Sequence, residues 1–234
     1  MTDAGIPASS GSALADRLSA VRADIEDAAR AAGRAPDELT TIVVTKFHPA
    51  SLVRELAALG VRDIGENRHQ EAAGKAAELS DLDLTWHFIG QLQSNKARLV
   101  RRYAHVVHSI DRGSLVDAIA SPDGHVIDCF VQVNLSDDPA RGGVSATELE
   151  PLVERLLTAP GLKLLGVMGV APLNEEPQRA FSRLHRESLR VRSLAPDADR
   201  ISAGMSADYA AAIAEGATHL RIGSAITGNR PKRG

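Results

Sequence analysis

Aromatic side chains are scarce in this chain: one Trp, two Tyr and four Phe among 234 residues, or 3%. A core without aromatic bulk has to be built from Ala, Val, Ile and Leu, and a hydrophobic share of 44% supplies enough of them. There is one cysteine, Cys129, which excludes an internal disulfide. It sits in the apolar run Val126-Ile127-Asp128-Cys129-Phe130-Val131, where a buried, inert thiol is the expected reading. No stretch reaches the ~20 apolar residues of a membrane helix. The N-terminal segment has no basic region followed by an apolar core, so no signal peptide is expected and a soluble cytoplasmic protein is the default. The net charge is −3 with no run of like charges, which leaves no basic footprint for nucleic acid. Lysine is also rare, 5 against 22 arginines, so each lysine stands out.

Short β-branched runs alternate with Ala-, Leu-, Glu- and Arg-rich stretches. The pattern predicts strands at 41–45, 61–64, 86–89, 105–109, 126–133, 162–168, 200–202 and 219–222. Helices are predicted between them at 50–59, 70–79, 94–102, 113–120, 147–158, 177–194 and 207–215, with one more in front at 14–32. Such alternation implies a parallel sheet, and eight units in 234 residues fit an α/β fold of the (β/α)8 TIM barrel kind with an extra N-terminal helix. An open doubly wound sheet is the rival, but no G-x-G-x-x-G follows the first strand. One domain over 12–234 is expected, behind a disordered tail at 1–11.

In a barrel of this kind function gathers at the C-terminal ends of the strands. The first strand runs Thr40-Thr41-Ile42-Val43-Val44-Thr45-Lys46, and the His48-Pro49 step after it reads as a turn into a helix. A lysine ending a core strand is out of place on burial statistics. Burial disfavours the ammonium form, which makes such a lysine a candidate amine nucleophile for a carbonyl compound. The alternative is a side chain that snorkels to solvent. Gly204-Met205-Ser206 and Gly223-Ser224 each set a glycine and a hydroxyl before a helix or turn, after strands seven and eight, where barrel enzymes often bind phosphate. Ser206 also reads as an ordinary N-cap. A phosphorylated carbonyl compound held by a strand-one lysine points to pyridoxal 5′-phosphate (PLP). Arg221, on strand eight, faces either the barrel interior or the helices. Facing inward, a guanidinium against the pyridine nitrogen would keep that nitrogen unprotonated and weaken the ring as an electron sink.

Taken together, Thr45-Lys46, Gly65-Glu66-Asn67-Arg68, Trp86-His87-Phe88-Ile89-Gly90 with Gln93-Ser94-Asn95-Lys96, Gln132-Val133-Asn134, Gly204-Met205-Ser206-Ala207-Asp208 and Arg221-Ile222-Gly223-Ser224 resemble the YggS family of pyridoxal phosphate homeostasis proteins. The likeness runs from about residue 14 to 230 in the family's order, and the segment around His87 is its most specific part. It implies the barrel of fold-type III PLP proteins, as in alanine racemase. It implies PLP held as a Schiff base on Lys46, with Ser206, Gly223 and Ser224 on the phosphate and Arg221 facing the pyridine nitrogen. Asn67 and Met205 would line the pocket, with His87 and Asn134 nearby. Ala203 and Thr227 depart from the family's larger and aromatic residues, which bears on packing rather than on the cofactor.

Two readings of the activity follow. A racemase needs an acid/base group on each face of the substrate, and alanine racemase takes its second from another domain. This chain ends soon after its eighth unit, and its only tyrosines, Tyr103 and Tyr209, fall in helical stretches. The preferred expectation is therefore a protein that binds PLP and serves intracellular vitamin B6 and amino-acid homeostasis, a monomer that hands PLP to client enzymes, without efficient catalysis of its own. A low-activity amino-acid racemase is the alternative, and a PLP-free phosphosugar-type barrel a third. Lys96, at a predicted helix start, is either a solvated lysine or a transient acceptor of PLP.

Overall fold

The structure, a computed structural model, describes residues 10–136, 138 and 141–229. Eight short β-branched and apolar runs pair in parallel, each with the next, and the eighth closes on the first. They are β1 Thr40–Val44, β2 Asp63–Glu66, β3 Thr85–Phe88, β4 Val106–Ile110, β5 Ile127–Gln132, β6 Leu162–Met168, β7 Arg200–Ser202 and β8 His219–Ile222. The helices are α1 Ser10–Ala31, α2 Ala50–Ala58, α3 His69–Glu78, α4 Ala97–Val100, α5 Gly113–Ile119, α6 Leu149–Thr158, α7 Pro177–Leu194, α8 Tyr209–Ala214 and α9 Ser224–Thr227. This is the (β/α)8 barrel expected from the alternation, with α1 packed on α8 and α9. The expected tail at 1–11 lies outside the described residues except for its last two, which open α1.

Two element boundaries moved for local reasons. The second strand starts at Asp63, not at Val61, because the Val61 N–H closes α2 by bonding Leu56 O beyond Gly60, whose φ is +83°. The shift carries Gly65 and Glu66 into the wall. The expected helix at 94–102 is a 3-10 turn, Ser94–Lys96, followed by the short α4. One glycine is obligatory in the sheet. Gly166 follows a register shift between β5 and β6, has φ +153°, and an added Cβ would lie 1.8 Å from Arg200 O.

Alternation along each strand sorts the side chains into two cores. Val43, Ile64, Trp86, Val107, Val167 and Leu220 join the layer between wall and helices. Val106, Phe130 and Met168 form a separate small cluster. Their strand parity is that of the barrel interior, which they share with His87, His108, Ser202, His219 and Arg221. The interior is thus apolar where β4, β5 and β6 meet and at Ile42 and Val44 of β1, and polar between these two regions. Cys129 is fully buried and burial pushes its thiol up, which makes it inert as expected. Among the described residues no helix is long and apolar enough to cross a membrane.

The interior histidines make stability depend on acid. Burial pushes His219 down to about 4 and His108 well below its ordinary value, with His87 adding to both. In the unfolded chain a histidine takes up a proton near pH 6.5, so below that pH the unfolded state binds more protons than the fold. The stabilisation is complete above about pH 6.5 and is lost as pH falls towards about 4. His219 alone accounts for about 3 kcal/mol. Urea unfolding at a series of pH values should show at least that loss across the window; a flat profile would mean that these rings are charged in the fold.

Candidate functional site

The site is built around the end of β1. Val43 packs outward and Thr45 is fully buried, while Gly65 and Gly223 approach the side chain of Val44. The strand stops at Val44, and Lys46 lies beyond it in a turn with its side chain exposed. This corrects the sequence reading: burial is not what marks Lys46. Its backbone is what the fold holds. On one side Lys75 Nζ of α3 donates to Thr45 O at 2.8 Å; on the other the Phe47 N–H donates to Glu71 Oε1. Lys75 also bonds Glu71 Oε1 at 2.9 Å and Glu66 Oε1 at 2.6 Å, and Thr45 Oγ1 donates to that same Glu66 oxygen at 2.6 Å. The Lys75 and Glu66 side chains are only 7% and 1% exposed, so this is a buried ion pair. Burial pushes the Glu66 carboxyl up, and the Lys75 ammonium and the Thr45 hydroxyl pull it back. Phe47 has φ +70°, unusual for a residue with a side chain, and the Arg68 guanidinium lies 5.1 Å from its ring centroid.

Two turns face the same rim. After β7 the chain passes through Gly204, at φ +90°, into a turn where the Met205 N–H donates to Asp208 Oδ1 at 2.6 Å. Asp208, not Ser206, is the N-cap residue of α8, so the N-cap reading of Ser206 falls away. After β8, Gly223 caps α9; its carbonyl accepts from Ile226 and Thr227, and the first amides of α9 have no partner within the helix. A Cβ built on Gly223 would meet Val44 Cβ at 3.6 Å, which sets this turn beside the strand that ends two residues before Lys46. Met205 and Ser224 are exposed and Ser206 half-buried.

Below the rim Arg221 is buried. It donates from Nη1 to Ser202 Oγ at 2.6 Å and from Nη2 to Gly169 O at 2.9 Å. Burial brings it down to about 10, so it remains a cation at neutral pH. Its Cα pairs with Ile42, four residues before Lys46, which is roughly 13 Å along a strand. Arg221 thus faces inward, one of the two orientations left open by alternation. Asn67 follows β2 and keeps a buried Oδ1 without a partner.

The structure separates the remaining residues from the rim. His87 is 3% exposed inside the barrel, its ring held by Asp63 Oδ1 at 3.0 Å and His108 Nε2 at 2.9 Å, so both nitrogens are engaged within the protein. Asn134 Nδ2 donates to Asp138 O and Arg141 O, and its Oδ1 accepts from the N–H and hydroxyl of Ser136. It folds its own loop rather than offering an amide to a ligand. Lys96 is half-buried in the 3-10 turn; burial lowers the basicity of His69, and the Lys96 charge adds to it. Sequence reasoning missed Lys75, His108 and Ser202. The available signals were a rare lysine four residues after Glu71 and a histidine within the apolar run of β4. A cavity of about 670 Å³ between α3 and α4, bordered by His69, Trp86 and Tyr103, has none of the rim residues in its lining.

Comparison with known proteins gives the family. Residues 17–231 match the family model "Alanine racemase, N-terminal domain". A pyridoxal phosphate homeostasis protein of Pseudomonas aeruginosa is 41% identical over 226 residues, covering 94% of this chain and 96% of the relative. One of Mycobacterium tuberculosis is 38% identical over 244 residues, covering 95% of each. The solved structure of PipY of Synechococcus elongatus PCC7942, with PLP bound, superposes at a TM-score of 0.80 with 35% identity, over 92% of this chain and 100% of that one. The chain belongs to the alanine racemase N-terminal domain family, among its pyridoxal phosphate homeostasis proteins.

Proposed function

We propose that this protein binds PLP at the barrel mouth, with Lys46 as the covalent anchor, and serves PLP homeostasis without efficient catalysis of its own. One observation carries the reading: a strand-one lysine, two amide-rich turns and a buried guanidinium converge on the same end of the barrel. The donor set fits the cofactor group by group. Ser206, Gly223 and Ser224 offer hydroxyls and free helix-start amides to a phosphate. Arg221 offers only N–H donors, which suits an unprotonated ring nitrogen. The unpartnered Asn67 Oδ1 is an acceptor awaiting a donor such as a ring hydroxyl, and Met205 borders the same opening. When bound, the cofactor supplies an aldehyde and an electron-withdrawing ring. Lys46 would hold the cofactor through its amine, the contacts of Lys75 and Glu71 would keep its backbone still, and Arg221 would disfavour a proton on the ring nitrogen.

The residues that a racemase would need are engaged elsewhere. Tyr103 stacks on His69 at 5.8 Å, its hydroxyl buried, and burial pushes it up. Tyr209 is pushed up by burial and by Asp24 of α1. Tyr103 borders a cavity that none of the rim residues line and His87 is bonded at both nitrogens, which supports a site without a second acid/base group. Cytoplasmic residence, a monomeric state, one domain over 12–234 and delivery of PLP to client enzymes belong to the same proposal.

Added PLP should give an absorbance band that borohydride fixes onto Lys46 in peptide maps. Label scattered over other lysines, or no band, would overturn the reading in favour of a PLP-free barrel. L-Alanine should keep its optical activity in the presence of the PLP-loaded protein; a rapid loss abolished by Lys46→Ala would make it a racemase. Lys75→Met should lower stability by about 3 kcal/mol, by leaving Glu66 buried without its cation. It should also weaken PLP retention by freeing the turn. Adding Glu66→Gln should recover much of the stability, measured by urea unfolding, but not the retention.

A further inference from the structure

Five polar side chains from five strands touch end to end inside the barrel. Asp63 of β2 meets His87 of β3, which meets His108 of β4, then Ser202 of β7 and Arg221 of β8. His87, His108, Ser202 and Arg221 are all buried, and Asp63 is the partly exposed end. With both rings neutral, the direction of every hydrogen bond follows from the chemistry of the two ends. A carboxylate only accepts, so His87 Nε2 carries the proton given to Asp63. A neutral His87 then presents Nδ1 as an acceptor, and His108 Nε2–H donates to it at 2.9 Å. A neutral His108 in turn presents Nδ1, and the Ser202 hydroxyl donates to it at 2.8 Å. From the other end, a guanidinium only donates, so Ser202 Oγ accepts from Arg221. The two readings meet at Ser202 without conflict: it accepts once and donates once. The reverse direction at His108 would leave the buried Ser202 hydrogen without a partner, which is costly for a buried donor. Phe130 stacks on the His108 ring at 4.6 Å, and His219 stands edge-on at 6.4 Å. Burial, with the Arg221 cation adding, keeps His108 neutral.

We propose that Asp63, His87, His108 and Ser202 form a one-directional brace that holds the Arg221 guanidinium against the ring nitrogen of the bound cofactor, with His108 as its central positioning residue. The inference rests on the PLP-binding reading above. Gly169 O holds Nη2, but Nη1 depends on the brace for its partner. Without an acceptor at Ser202 the guanidinium is tethered on one side only and can rotate off the ring nitrogen. This gives His87 a purpose that its engagement within the protein would otherwise deny it.

The first test needs no cofactor. In ¹⁵N-histidine NMR of the cofactor-free protein, His87 and His108 should both be neutral with the proton on Nε2; a proton on His108 Nδ1 would overturn the brace. The second test uses PLP. His108→Phe should weaken PLP binding about tenfold and shift the absorbance maximum of the bound cofactor. His108→Gln, which keeps an acceptor and a donor on one planar group, should restore both. Unchanged affinity and spectrum in His108→Phe would overturn the proposal. Should that variant fail to fold, Ser202→Ala decides: the same loss and shift are expected, and wild-type behaviour refutes the brace. If the wild-type protein takes up no PLP at all, the PLP reading fails while the tautomer measurement still judges the chain of bonds.

Discussion

Closure of the parallel sheet is the constraint on which everything else in this molecule depends. Once β8 pairs with β1, every strand residue points either to the helices or to a narrow interior, and no edge remains to relieve a misfit. The outer layer absorbs the many Ala, Val, Ile and Leu side chains that stand in for missing aromatic bulk. The interior, by contrast, is filled in large part by ionisable and polar groups. In so enclosed a space those groups have to satisfy one another, and the bonds from Asp63 to Arg221 are how they do it.

The same closure explains how a flexible side chain is given a fixed base. Lys46 is exposed and makes none of the buried contacts around it. Its neighbours Thr45 and Phe47 are tied to α3 through a buried cation and a glutamate. Ordering is concentrated in the backbone, and the amine keeps its freedom to meet a ligand.

The architecture was legible because its signal is repeated eight times. Three strands, β6, β7 and β8, have the predicted bounds, and the others differ by one or two residues at an end. The candidate residues of the mouth stand out in the sequence as well, since glycine, hydroxyl and lysine at strand ends carry chemistry that packing does not require. Less legible was anything depending on which face a residue takes or whom it meets across the barrel. His87 and His108 are 21 positions apart, and His108 and Ser202 are 94 apart. Only the shear of the closed sheet brings them together. Asn134 misled for the opposite reason: its partners lie within its own loop, where a short polar side chain bonds nearby backbone. The burial argument for Lys46 failed through a strand boundary two residues earlier than its sequence suggested.

The contact at Gly90 has a mechanical consequence. A Cβ on Gly90 would lie 2.1 Å from Asn67 O, so the peptides after β2 and β3 press directly on each other, and the Ile89 N–H reaches Glu66 O at 2.9 Å. The loop that carries Asn67 and the loop that leads to Lys96 therefore move as one stiff panel of the rim. Any side chain at position 90 would have to force these two backbones apart, since nothing softer lies between them.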